Sequence, residues 1–136
     1  MSSRRIGFIV ASHGDLAATL VQTTGLIVGH DTPFAPFAFL DGEAPKTSSA
    51  RLGKLIRKCD AGAGVIILAD LFGGTPGSLA LSHLALESVE VITGVNLSMM
   101  VTAATLPPQL SLREAGARIA EAGQRSIQRG SAMLQS

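Results

Sequence analysis

Apolar residues fall along the chain in two rhythms, short unbroken runs and helical stripes, and the two alternate. "IGFIVA" (6–11) and "GVIILA" (64–69) are continuous apolar runs of strand length, the signature of strands buried on both faces. "VEVIT" (89–93) is a shorter one. Between Asp15 and Val28, Leu16, Leu20 and Ile27 interleave with Ala17, Val21 and Val28 in a wide helical stripe, and Gly29 marks its stop. Leu52, Leu55, Ile56 and Cys59 repeat at helical spacing, with Arg51, Lys54, Arg57 and Lys58 facing largely outward. "FAPFAFL" (34–40) reads as a strand at a sheet edge, where Pro36 removes no needed donor.

Punctuation residues place the remaining elements. "GEAPKTSS" reads as a loop ending in N-cap residues, so the second helix is expected after it. "DLFGGTPGSLALSHLALE" reads as a loop followed by a helix, with Thr75 as N-cap and Pro76 at the first helical position. "NLSMMVTAAT" after Gly94 predicts a short helix closed by Pro107 and Pro108. Ser111 and Glu114 form a capping box that opens a last helix, expected to run to about Gln128.

Strands alternating with helices predict an α/β fold: a doubly wound, mainly parallel four-stranded sheet with helices on both faces. The whole chain, 1–136, reads as one domain. A strand order of 2-1-3-4 makes strands 1 and 3 neighbours. "SHGD" and "DLFGGTPG" then face each other beyond the carboxyl ends of those strands, where such sheets bind ligands.

Composition narrows the class. Apolar residues make up 46% of the chain, with no Trp or Tyr and five Phe, so the core is aliphatic. Net charge is +1 from 11 basic and 10 acidic residues, which with few stacking aromatics argues against nucleic acid as a partner. Cys59 is the single cysteine and cannot form an internal disulfide, consistent with a reducing compartment. No apolar run reaches the roughly 20 residues of a membrane span. The reading is a cytoplasmic protein.

His13 and Asp70 are the candidate reacting pair. A neutral imidazole is a good nucleophile at one nitrogen when the other donates its proton to a carboxylate. Gly73 and Gly74 let main-chain N–H groups turn toward an anion, and Thr75 adds a hydroxyl and a helix N-terminus. Together these make a site for transient phosphorylation of a histidine. Each element alone is weak: a lone histidine is more often structural, and "GGTPG" alone is most often a tight turn. It is no Walker loop, since no Lys follows, and no dinucleotide fingerprint is present. His13, His30 and His83 lack metal-ligand spacing, so neither a metal nor another cofactor is expected. His30 reads as a polar loop residue, His83 as a packing residue, and Met99, Met100 and Met133 as core or interface filler.

"IGFIVASHGDLAATLVQTTGLIVG", "GVIILADLFGGTPGSLA" and "VEVITGVNLSMMV" together resemble the enzyme IIA component of the mannose family of the bacterial phosphoenolpyruvate-dependent sugar phosphotransferase system. The resemblance spans nearly the whole chain. It implies that His13 accepts a phosphoryl group from the phosphocarrier protein HPr and passes it to a IIB component. It implies Asp70 as the carboxylate that orients the histidine, Gly73, Gly74 and Thr75 around the phosphate, and Asn96 at the site margin. It also implies a homodimer with an exchanged antiparallel C-terminal strand, and peripheral association with a membrane permease complex. "RGSAMLQS" departs from that pattern as a poor strand. Two other readings stay open: the phosphotransfer subunit of dihydroxyacetone kinase, whose first segment is similar, and a non-catalytic module that holds a small anion at "GGTPG".

Overall fold

The computed structural model describes residues 5–71, His83 and residues 88–134. Four strands form one all-parallel sheet: β1 (Gly7–His13), β2 (Phe34–Phe39), β3 (Val65–Ala69) and β4 (Val89–Thr93), in the order β2-β1-β3-β4. The helices are α1 (Leu16–Val28), α2 (Pro45–Cys59), α3 (Leu97–Ala104), α4 (Leu112–Arg125) and the short α5 (Gly130–Met133). This is the doubly wound parallel architecture that the alternating rhythm predicts.

The unbroken apolar runs of β1 and β3 follow from burial on both faces. Phe8, Val10, Ile66 and Leu68 point to one side, where they pack with Ala17 of α1, Met99 and Met100 of α3 and Ile119 of α4. Ile9, Ala11, Val65, Ile67 and Ala69 point to the other, against Leu52 and Ile56 of α2. β2 is an outer strand with β1 as its partner, which is where Pro36 costs no ladder bond.

Helix ends follow local chemistry. Gly29 takes a left-handed conformation (φ 78°) and its N–H donates to the Gly25 carbonyl, which stops α1. Ser111 and Glu114 make both bonds of the capping box that opens α4.

Four expectations shift. α2 begins at Pro45, earlier than the N-cap residues suggest, because Pro45 occupies a first-turn position and the Ser48 hydroxyl donates to Glu43 from inside the helix. Arg51 faces outward only in part: its side chain, 38% exposed, lies over the Phe37 ring and pairs with Glu43 at 2.8 Å, while Lys54, Arg57 and Lys58 are exposed. α4 ends at Arg125, where the Ser126 N–H and hydroxyl turn back onto carbonyls of the last turn. The C-terminal segment, open as an antiparallel strand, is the helical turn α5. Met99 and Met100 are buried, whereas Met133 is exposed.

Candidate functional site

Register brings the first two candidate residues together. Ala11 of β1 pairs with Ala69 of β3, and the ladder takes one more step as the Asp70 N–H donates to the Ala11 carbonyl at 3.1 Å. Beyond that point the Asp70 side chain replaces the ladder. Its Oδ2 accepts the main-chain N–H of His13 at 2.9 Å and lies 2.8 Å from His13 Nδ1. With a carboxylate as partner, Nδ1 is the nitrogen that carries the proton in the neutral ring, and Nε2 is then the one with a lone pair.

The two side chains differ sharply in exposure. The His13 side chain is 56% exposed and that of Asp70 is 8% exposed. Burial pushes the Asp70 carboxyl up. The His13 main-chain N–H, ring and charge outweigh it, with a smaller contribution from the Leu71 main chain, and hold the carboxyl below its ordinary value. Asp70 is therefore an anion at neutral pH. Its Oδ1 is buried and has no hydrogen-bond partner among the described residues.

The turn that carries His13 into α1 depends on Gly14 and Ser12. Gly14 sits at φ 54°, a left-handed conformation that favours glycine. Asp15, at the N-cap position, makes no side-chain cap bond. Ser12 supplies it from further back: its buried Oγ accepts the Ala17 N–H at 2.7 Å and donates to the His13 carbonyl at 3.1 Å. Sequence reasoning missed this role, because the bond spans five residues and bypasses the position where caps are sought.

The structure does not bring Asn96 to His13 by any hydrogen bond. Asn96 caps α3, accepting the Met99 N–H at 3.0 Å, and donates to the Gly123 carbonyl of α4 at 3.3 Å. Its neighbour Val95 closes the end of β3 by donating to the Ala69 carbonyl. Gly73, Gly74 and Thr75, with the cap at Thr75 and Pro76, lie outside the described residues. His30 is an exposed loop residue whose Nδ1 lies 2.7 Å from the Asp31 carbonyl. His83 is half-buried with its Nε2 3.4 Å from Ser49 Oγ, and burial lowers its pKa. Among the described residues, no group of three or more His, Cys, Asp or Glu side chains is placed to hold a metal ion. No described helix is long and apolar enough to cross a membrane.

Known proteins share this fold in outline. Residues 7–120 match the EIIA-man family model, described as PTS system fructose IIA component. The fructose-specific EIIA component of Bacillus subtilis is 28% identical over 124 residues, covering 90% of this chain and 85% of that protein. The mannose-specific EIIAB component of Escherichia coli K12 is 32% identical over 98 residues, covering 71% of this chain and 30% of that protein. This chain thus spans under a third of that relative's length.

Two solved structures overlay closely. The mannose/sorbose-specific IIA subunit from Enterococcus faecalis has a TM-score of 0.83 at 28% identity, over 92% of this chain and 94% of its own. The IIA protein associated with the fucose utilization operon of Streptococcus pneumoniae has a TM-score of 0.83 at 29% identity, over 98% and 99%. A match that runs from the first strand into α4, over the sheet and the helices packed on it, makes this chain a member of the EIIA-man family, the mannose-type IIA components of the sugar phosphotransferase system.

Proposed function

We propose that His13 is the phosphoryl acceptor of this IIA component, taking the group from HPr on Nε2 and passing it to a IIB component. Members of the family are phosphotransferases, and the observation that carries the finer reading is the Asp70 Oδ2 bond to His13 Nδ1. With Nδ1 as the donor to that carboxylate, the exposed ring's other nitrogen is the one left to act as nucleophile.

The step balances simply. The Nε2 lone pair of His13 forms the new P–N bond as the P–N bond to the donor's histidine breaks. The bonding pair returns to the donor ring. His13 becomes a cationic phosphoimidazole whose Nδ1–H stays on Asp70, and the carboxylate offsets the positive charge that develops. The same geometry serves the reverse displacement, in which a IIB nucleophile attacks the phosphorus and Nε2 recovers its pair. Gly73, Gly74 and Thr75 are proposed to supply N–H and hydroxyl donors to the phosphoryl oxygens. Asn96 is proposed as a support at the margin, holding α3 where the chain leaves β4.

A IIB acceptor is supported by the Escherichia coli relative, whose name joins an EIIA to an EIIB. We further propose that the protein works as a cytoplasmic homodimer at a membrane permease. The outer position of β4 and the exposed Ile127 (76%) beside its cleft support a second copy on that side. Incubation with phosphoenolpyruvate, enzyme I and HPr tests the central step. Acid-labile phosphate should appear on the wild type and be absent from His13→Ala. Label retained by that variant contradicts the proposal.

A further inference from the structure

Ser12 is completely buried, and its hydroxyl binds on two sides of the reacting residue. It donates its one proton to the His13 carbonyl at 3.1 Å and accepts the Ala17 N–H at 2.7 Å. The Ala17 bond closes a small loop over residues 12–17, which contains the left-handed turn at Gly14. His13 is then held at both of its peptide groups, by Asp70 at its N–H and by Ser12 at its carbonyl. The position of its Cα is set by groups outside its own ring.

We infer that Ser12 is a positioning residue for phosphoryl transfer, a latch that fixes the His13 main chain and the first turn of α1 in the geometry that Asp70 reads. This rests on the phosphotransfer reading given above. Without the hydroxyl, the His13 carbonyl and the Ala17 N–H each lose a partner, and the turn from His13 to Leu16 relaxes. The ring then shares its time between the Asp70 bond and other orientations. Small displacements of this kind lower the rate of a displacement that needs an aligned nucleophile. The substitution removes no exposed side chain that a protein donor could touch, because Ser12 itself is fully buried.

Four proteins test the latch: wild type, Ser12→Ala, Ser12→Thr and Ser111→Ala. The last removes a helix cap from α4 and serves as the control for simple loss of a cap. Transfer from phosphorylated HPr is measured with kcat and KM separated, at a temperature where each variant is folded. Ser12→Ala should lower kcat about tenfold with KM for the donor unchanged. Ser111→Ala should lower Tm yet keep the wild-type kcat, and Ser12→Thr should restore most of the rate. A Ser12→Ala kcat equal to that of Ser111→Ala overturns the inference. If the added methyl of Ser12→Thr prevents folding, the comparison of the two alanine variants decides alone. If the wild type takes no phosphoryl group, the phosphotransfer reading fails, and ring ¹⁵N spectra of His13 still test the latch. A protonated Nδ1 in the wild type that averages in Ser12→Ala supports it; identical spectra overturn it.

Discussion

A single oxygen of Asp70, Oδ2, holds His13 at two points, the main-chain N–H at 2.9 Å and the ring Nδ1 at 2.8 Å. The first bond fixes where the residue sits and the second fixes how its ring is turned. Both arise because the β1–β3 ladder ends at Ala11, two residues short of His13, so a side chain takes the place of the next main-chain acceptor. A parallel sheet in this order makes such a pairing available between "SHGD" and "AD" with no intervening element.

Replacing Asp70 by Asn should keep the fold and slow phosphoryl transfer by roughly two orders of magnitude, since a neutral amide neither enforces the Nδ1–H tautomer nor offsets the developing imidazolium. Rapid-quench measurement of transfer from phosphorylated HPr checks this, with circular dichroism as the control for folding. An unchanged rate removes Asp70 from the mechanism.

Stability should fall in acid through two carboxyls. Glu43 is lowered from 4.5 to about 2 by its hydrogen bonds from Arg51 and then Ser48, while Asp70 is held below its ordinary 3.8 despite burial. A carboxyl depressed in the folded state binds fewer protons than in the unfolded chain between its two pKa values, so stability rises with pH across that window. Both contributions are complete above the ordinary values and are lost as pH falls through the folded ones, down to about 2 for Glu43. Thermal unfolding between pH 2 and pH 6 should show this slope. Glu43→Gln and Asp70→Asn should each flatten it.

Gly64→Ala should be strongly destabilising. Residue 64 sits at φ 91°, and an added Cβ would stand 2.7 Å from the Ser88 carbonyl oxygen. That oxygen is held in place by the Val65 N–H at 2.8 Å, so it has little freedom to retreat. Backbone strain and overpacking together should cost about 2–4 kcal/mol, read as a lower midpoint in urea with an unchanged slope. A loss under about 0.5 kcal/mol would mean the turn into β3 adapts freely.

Much of the fold is legible in the residues themselves. β1 and β3 announce burial on two faces through unbroken aliphatic runs, and Pro36 names β2 as an outer strand. Gly29 and the Ser111–Glu114 box mark helix ends because their chemistry is local. His13 and Asp70 are legible as a pair once strand order makes their loops neighbours. What escapes is non-local bonding. Ser48 resembles an N-cap but donates to Glu43 from within α2, so the helix starts earlier. Arg51 has the spacing of a solvated face, yet Phe37 and Glu43 from other segments hold it against the surface and leave it only partly exposed. Ser12 caps α1 across five residues, and that reach has no sequence signature.

The most direct test of the account is the identity of the phosphorylated atom. The protein, with ¹⁵N-labelled histidine, is charged by phosphoenolpyruvate, enzyme I and HPr and observed by ¹⁵N and ³¹P NMR. The account predicts one acid-labile phosphoryl group, on Nε2 of His13, with Nδ1 still protonated. A phosphoryl group on Nδ1, on another residue, or retained in His13→Ala would contradict it.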